Sequence, residues 1–210
     1  MSMKNQVRRL LERSDRPALI ELTLRDRRAV TALNRLLFDD DPLMRWRAVA
    51  ALGWVAAEDP YLLEKIISRL FYTMNDDSGS IGWMAPQALG EICASAPDLV
   101  EDFFGIIVSS LENEVFRAGA LWAIGRVASV RPDLVEEIGP TVAEHLGDPA
   151  PLVRGLACRA LAGIGWAEAA GLVRRLLTDP GELTVYENDR MVVKTVGEMA
   201  GAAMKTWEKT

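Results

Sequence analysis

A ten-residue word, Met44-Arg45-Trp46-Arg47-Ala48-Val49-Ala50-Ala51-Leu52-Gly53, returns in altered form down the chain and limits the fold more than any other feature. Its later versions are 81–90, 116–125, 153–162 and, more loosely, 196–205. The ninth position holds Leu52, Leu89, Ile124, Leu161 and Met204, at spacings of 37, 35, 37 and 43 residues. A period in the thirties with two helices per unit marks a stack in which each hairpin buries its apolar face only against its neighbours.

The word explains itself on a helical wheel. Positions equivalent to 44, 48, 51, 52 and 55 share one face. Alanines at 48, 85, 120, 157 and 200, and at 51, 88, 123, 160 and 203, keep that face thin, so this inner helix can approach its partner closely. Gly53, Gly90 and Gly125 cost helix propensity, and close packing on a neighbouring repeat accounts for them. Outer helices are expected near 26–38, 60–74, 98–112, 133–146 and 167–178. Each ends in a leucine-bearing segment followed by acids and turn residues, such as Asp39-Asp40-Asp41-Pro42 and Gly147-Asp148-Pro149, which open the next inner helix by capping its free amides.

The ends differ from the middle. Residues 1–25 read as two short capping helices, Lys4–Glu12 and Pro17–Leu24, with Asp15 as a cap between them. Residues 26–178 read as the repeat array, and 179–210 as a β-hairpin with a final capping helix, all in one continuous domain. Glu182–Tyr186 and Met191–Lys194 have strand character around the turn-prone Glu187-Asn188-Asp189-Arg190. Thr195-Val196-Gly197-Glu198 fits a capping box.

Composition narrows the function. A formal charge of −6 and a pI near 5.0 argue against nucleic acid, whose phosphates call for a basic field. Residues 1–16 lack the apolar centre of a signal peptide, and the longest uncharged apolar run, Ala48 to Ala57, falls short of the ~20 residues of a membrane span. A cytoplasmic protein without membrane contact is the expectation. Cys93 and Cys158 lie on separate helices without metal or redox spacing, and read as buried thiols.

The words Asp41-Pro42-Leu43-Met44-Arg45 with Ala48, Ala51, Leu52 and Gly53, and Asp148-Pro149 with Val153, Arg154, Ala157, Ala160 and Leu161, resemble the HEAT-repeat proteins, specifically the short HEAT-like repeats of the bilin lyases. The resemblance covers residues 26–178 and implies an all-α, right-handed α-solenoid of helical hairpins, here with a small β-hairpin near the C-terminus. It also implies that Asp41 with Arg45, and Asp148 with Arg154, join a turn-to-helix polar ladder, so Arg45, Arg117 and Arg154 are assigned to structure first. The second repeat departs from the pattern: Gly82 stands where the arginine belongs, and Pro86 moves the helix start to Met84 or Ala85. The Gly/Ser loop 78–82 reads as irregular, since no phosphate-loop Lys-Ser/Thr follows it.

The inner-helix face opposite the core holds the candidate site. Trp46, Trp83, Trp122 and Trp166 fall on it. The column through position 50 runs Ala50, Gln87, Trp122, Arg159, and a flanking column runs Trp54, Glu91, Arg126, Gly163. Exposed indoles favour binding hot spots, although the same rings also serve as packing between inner helices, and Glu91 and Arg126 as a simple ion pair. The groove is expected to be aromatic and locally cationic, against an acidic outer layer. His145 is the sole histidine, and no triad or iron-binding His-Glu pair can be assembled, so no catalytic residue, metal or cofactor is assigned. The leading reading is a non-enzymatic interaction or assembly module for a protein or peptide partner. A bilin-lyase-like small-ligand protein or enzyme, and a nucleic-acid protein like the HEAT-like DNA glycosylases, are its alternatives.

Overall fold

Short polar turns start the helices of this chain. In the computed structural model, which describes residues 2–74, 83–99, 101 and 104–208, Ser2, Asp15, Asp41, Asn113 and Thr195 each accept a hydrogen bond from a backbone N–H of the helix that follows. Each bond satisfies a donor that the helix itself cannot. Thr195 and Glu198 complete the expected capping box.

The chain divides into two compact units, Met1–Phe103 and Phe104–Thr210. The first holds α1 (Met3–Glu12), α2 (Arg16–Arg25), α3 (Arg28–Leu36), α4 (Pro42–Glu58), α5 (Glu64–Met74) and α6 (Ala85–Ser95). Inner helices α4 and α6 pack on each other, with α3 and α5 as their outer partners. The late start of α6 agrees with the placement of Pro86 in its first turn. The Gly/Ser loop 78–82 lies outside the described residues.

The second unit holds α7 (Phe104–Ser109), α8 (Glu114–Val127), α9 (Gly139–Glu144), α10 (Pro151–Ile164) and α11 (Ala170–Arg175), then strands β1 (Glu182–Glu187) and β2 (Arg190–Thr195), and α12 (Val196–Trp207). Inner helix α10 lies between α8 and α12. The strands pair antiparallel, from Glu182 opposite Thr195 to Glu187 opposite Arg190. Asn188 and Asp189 close the loop at φ of 50° and 62°, the left-handed conformation a two-residue hairpin loop needs. Leu183 and Val185 are buried while Glu182 and Thr184 face out, the alternation of a strand covering a core.

The small inner face is as the wheel required. The ten alanines of its two rows are all buried. A Cβ on Gly53 would lie 3.1 Å from the Glu91 carbonyl oxygen, so that glycine lets α4 close on α6. Gly125 meets the Ala160 Cα at 3.5 Å, doing the same for α8 and α10.

The outer layer differs from its expected ranges. Helices α7, α9 and α11 are six residues each, with 3-10 turns beside them at Pro97–Leu99, Ser110–Glu112, Pro132–Leu134, His145–Gly147 and Ala167–Ala169. Gly139-Pro140 supplies the reason at α9: proline lacks an N–H and fits only a first turn, so one long helix becomes two short pieces.

Arginines at the inner-helix starts form the ladder that the resemblance implied. Arg45 donates to the Asp39 carbonyl at 2.8 Å. Arg117 donates to the Leu111 carbonyl at 2.9 Å and reaches forward to Asp148 at 3.0 Å. Arg154 donates to the Asp148 and Pro149 carbonyls and grips both carboxylate oxygens of Asp179. Arg8 of α1 bonds Asp39 at 2.6 Å across 31 residues, the same separation as Arg117 and Asp148. Helix α1 therefore stands to the turn before α4 as α8 stands to the turn before α10.

Candidate functional site

The three inner helices of the second unit form a cleft because their facing residues are small. Gly125 of α8, Ala162 and Gly163 of α10, and Ala202 and Ala203 of α12 leave a hollow of about 360 Å³. Gly163 is held within 3.2 Å of the Gly125 carbonyl oxygen, measured from where its Cβ would be, so the backbones themselves make the floor. Arg159, Met199 and Thr206 bring longer side chains to it. The hairpin supplies a wall through Glu187 and Lys194, paired at 2.6–2.7 Å.

Arg159 lies with its guanidinium carbon 4.1 Å from the centre of the Trp122 ring. This stack pre-orients a cation whose planar head suits carboxylate recognition. Trp122 itself is only 5 % exposed. It supports the arginine from beneath and is not an open indole of the groove wall. Arg126 follows one helical turn after Trp122 on α8 and is half-buried.

The other sequence-derived candidates are not among the residues that line this cleft. Trp166 falls past the end of α10, which closes at Gly165 in a left-handed cap with φ 77°. A Cβ on Gly139 would come within 2.5 Å of its indole, so Trp166 packs against the start of outer helix α9. In the first unit, Trp46 is half-buried on α4 and Glu91 half-buried on α6 beside Gly53. Trp83 precedes α6 and is 60 % exposed, while Gln87 is buried, with no hydrogen-bond partner for its Oε1 among the described residues. Trp54 lies 5.5 Å beneath the Arg16 guanidinium.

Sequence reasoning missed the part played by the last helix and the hairpin. Counted in the repeat, Ala202 extends the column of Gln87, Trp122 and Arg159, and Thr206 that of Glu91, Arg126 and Gly163. Carrying both columns into the loosest repeat would have found them. Nothing in the strands' sequence indicates that Glu187 and Lys194 border a cleft.

Two titratable groups are moved by burial. The Cys158 thiol is pushed up to about 12, which leaves it protonated and weakly nucleophilic. His145 is held below the usual histidine value by its own burial and then by the charge of Arg117. Among the described residues no cluster of His, Cys, Asp and Glu is arranged to hold a metal ion, and no helix is long and apolar enough to cross a membrane.

Residues 115–162, which run from α8 through α10, match the HEAT-like repeat family. Among solved structures, the chain is similar to two engineered proteins, each 17% identical. Their TM-scores are 0.55 and 0.56, covering 100% of this chain and 98% and 100% of theirs. An archaeal HEAT-like repeats protein from Thermococcus onnurineus NA1 is 17% identical over 100% of this chain and 81% of its own, at a TM-score of 0.46. No curated protein matches the sequence. The fold is thus that of a helical-repeat protein. Within it, residues 115–162 carry a repeat of the HEAT-like type.

Proposed function

We propose that this protein is a non-enzymatic interaction module that holds a protein or peptide partner in the cleft over α8, α10 and α12. The stack of Arg159 on Trp122 above a floor of glycine and alanine carries the reading. A rigid cation in a shallow apolar hollow fits an acidic side chain or terminal carboxylate set beside an apolar one. Arg126 belongs to the same unit and adds positive charge to that helix. In the first unit, Trp46 of α4, Trp83 just before α6, and Gln87 and Glu91 of α6 are the proposed contact residues. Trp166 is left to packing. Affinity capture with the wild type, Arg159→Glu and Ala202→Trp tests the proposal. Both variants should lose a shared set of partners at unchanged helicity. If both retain the full wild-type set, the cleft is not the binding surface.

A second reading is a small-ligand site, favoured by the cleft volume of about 360 Å³, which falls at the lower end of such pockets. A native mass spectrum of the purified protein with an adduct that Ala202→Trp removes would favour it over a protein partner.

A further inference from the structure

Outer helix α3 carries a second surface of a different character. Two clefts flank it within the first unit. One, of about 350 Å³, opens toward the start of α1 between Met3, Lys4, Ala32 and Arg35. The other, of about 270 Å³, opens toward Pro60–Leu63 and α5 between Arg27, Val30, Tyr61 and Lys65. Both include Arg28 and Thr31, so they meet along the helix as one track.

The charge of this track opposes that of the chain. The two linings hold Lys4, Arg27, Arg28, Arg35 and Lys65 against Glu64, on a chain whose formal charge is −6. Part of that positive charge is used internally: Lys4 lies 3.6 Å from Asp39, and Arg28 bonds Asp26. Arg27, Arg35 and Lys65 are exposed and make no ion pair among the described residues. The acidic expectation rested on the outer helices near 60–146; α3 precedes them and is basic. Tyr61 stands 71 % exposed beside these cations.

We propose that this track receives an acidic, partly apolar segment of a partner protein. Its carboxylates would meet Arg27, Arg35 and Lys65, and its apolar side chains would cover the exposed ring of Tyr61. A phosphodiester backbone has the charge but no apolar side chains to lay on that ring, so a peptide fits better than a duplex. This surface shares no residue with the Arg159 cleft, and either can fail alone.

Fluorescence anisotropy tests it, using a labelled peptide about twelve residues long, two-thirds Asp and Glu with Leu and Phe interspersed. The wild type should bind it saturably, and more weakly as salt rises. The triple variant Arg27→Glu, Arg35→Glu, Lys65→Glu should weaken binding on the order of tenfold or more, since three exposed attractions become repulsions. Tyr61→Ala should weaken it several-fold, and Arg159→Glu should leave it unchanged. Arg27, Arg35, Lys65 and Tyr61 are all exposed, and circular dichroism checks that the variants fold. Absence of wild-type binding, equal binding by the triple variant, loss on Arg159→Glu, or tighter binding of a short DNA duplex that displaces the peptide would each overturn the proposal.

Discussion

Replacing Arg154 by alanine removes the most completely used side chain of the polar ladder. Its Nε and Nη2 donate to the two Asp179 oxygens at 2.8 and 3.2 Å, and its Nη1 to the Asp148 and Pro149 carbonyls at 2.7 and 3.0 Å. Both members of the ion pair are 16 % exposed. That burial is too deep for full solvent screening and too shallow for the whole penalty of a buried charge. Exposed pairs contribute ~0–1 kcal/mol and breaking a buried one costs about 3–5 kcal/mol, so an intermediate cost of about 2–3 kcal/mol is expected. In a urea titration followed by circular dichroism, that moves the midpoint down by roughly 1 M for a slope near 2 kcal/mol/M. Arg154→Lys should recover little, because an ammonium cannot offer the two-pronged grip. Arg28→Ala is the control: it loses a similar bidentate bond to Asp26, but Arg28 projects into solvent, and its midpoint should stay at the wild-type value. Equal midpoints for Arg154→Ala and Arg28→Ala would refute the claim that the half-buried ladder pair stabilises the fold where an exposed one does not.

Two glycines should respond in opposite directions. A Cβ on Gly197 would sit 2.6 Å from the Leu177 carbonyl oxygen, so Gly197→Ala should cost about 1–3 kcal/mol in thermal unfolding despite its better helix propensity. Gly171 of α11 has nothing within 4 Å of that position, and Gly171→Ala should stabilise by up to about 1 kcal/mol. Acid should weaken the fold through Asp39 and Asp179. Burial pushes the Asp39 carboxyl up, but the Arg8 bond and the Asp41 N–H together hold it below its ordinary 3.8. The bond from Arg154 lowers Asp179, helped by the Gly181 N–H. Depressed carboxylates stabilise the native state above the unfolded value and lose that contribution as pH falls through the folded values. The wild-type urea midpoint should therefore drop below pH 4, and Asp179→Asn should flatten that drop while lowering the midpoint at pH 7.

Much of the architecture was legible in the primary structure because it rests on local rules. The alanine rows fixed which face of each inner helix is buried, Pro86 fixed the late start of α6, and Thr195 with Glu198 fixed the opening of α12. The outer layer was harder. Its apolar spacing suits one long helix, yet Gly139-Pro140 and the turns beside α7 and α11 divide it, and a leucine pattern does not register such breaks. The site was read only in part for a related reason. A helical wheel gives the direction of Trp122 but not its depth. The depth follows from how near α8 comes to α10 at Gly125 and Ala160, and from Arg159 closing over the ring. Trp166 was assigned to the inner face on the premise that α10 continues, and Gly165 ends the helix one residue before it.

Partners are proposed to enter from the inner-helix side of the second unit, over α10 and α12. A photo-crosslinking amino acid placed at exposed Thr206, which lines the cleft, and in a separate protein at exposed Leu172 on outer helix α11, reads this directly. Irradiation in native extract should give a discrete adduct from position 206 that Arg159→Glu removes, and none from position 172. An adduct from 172 alone, or one from 206 that survives Arg159→Glu unchanged, would contradict it.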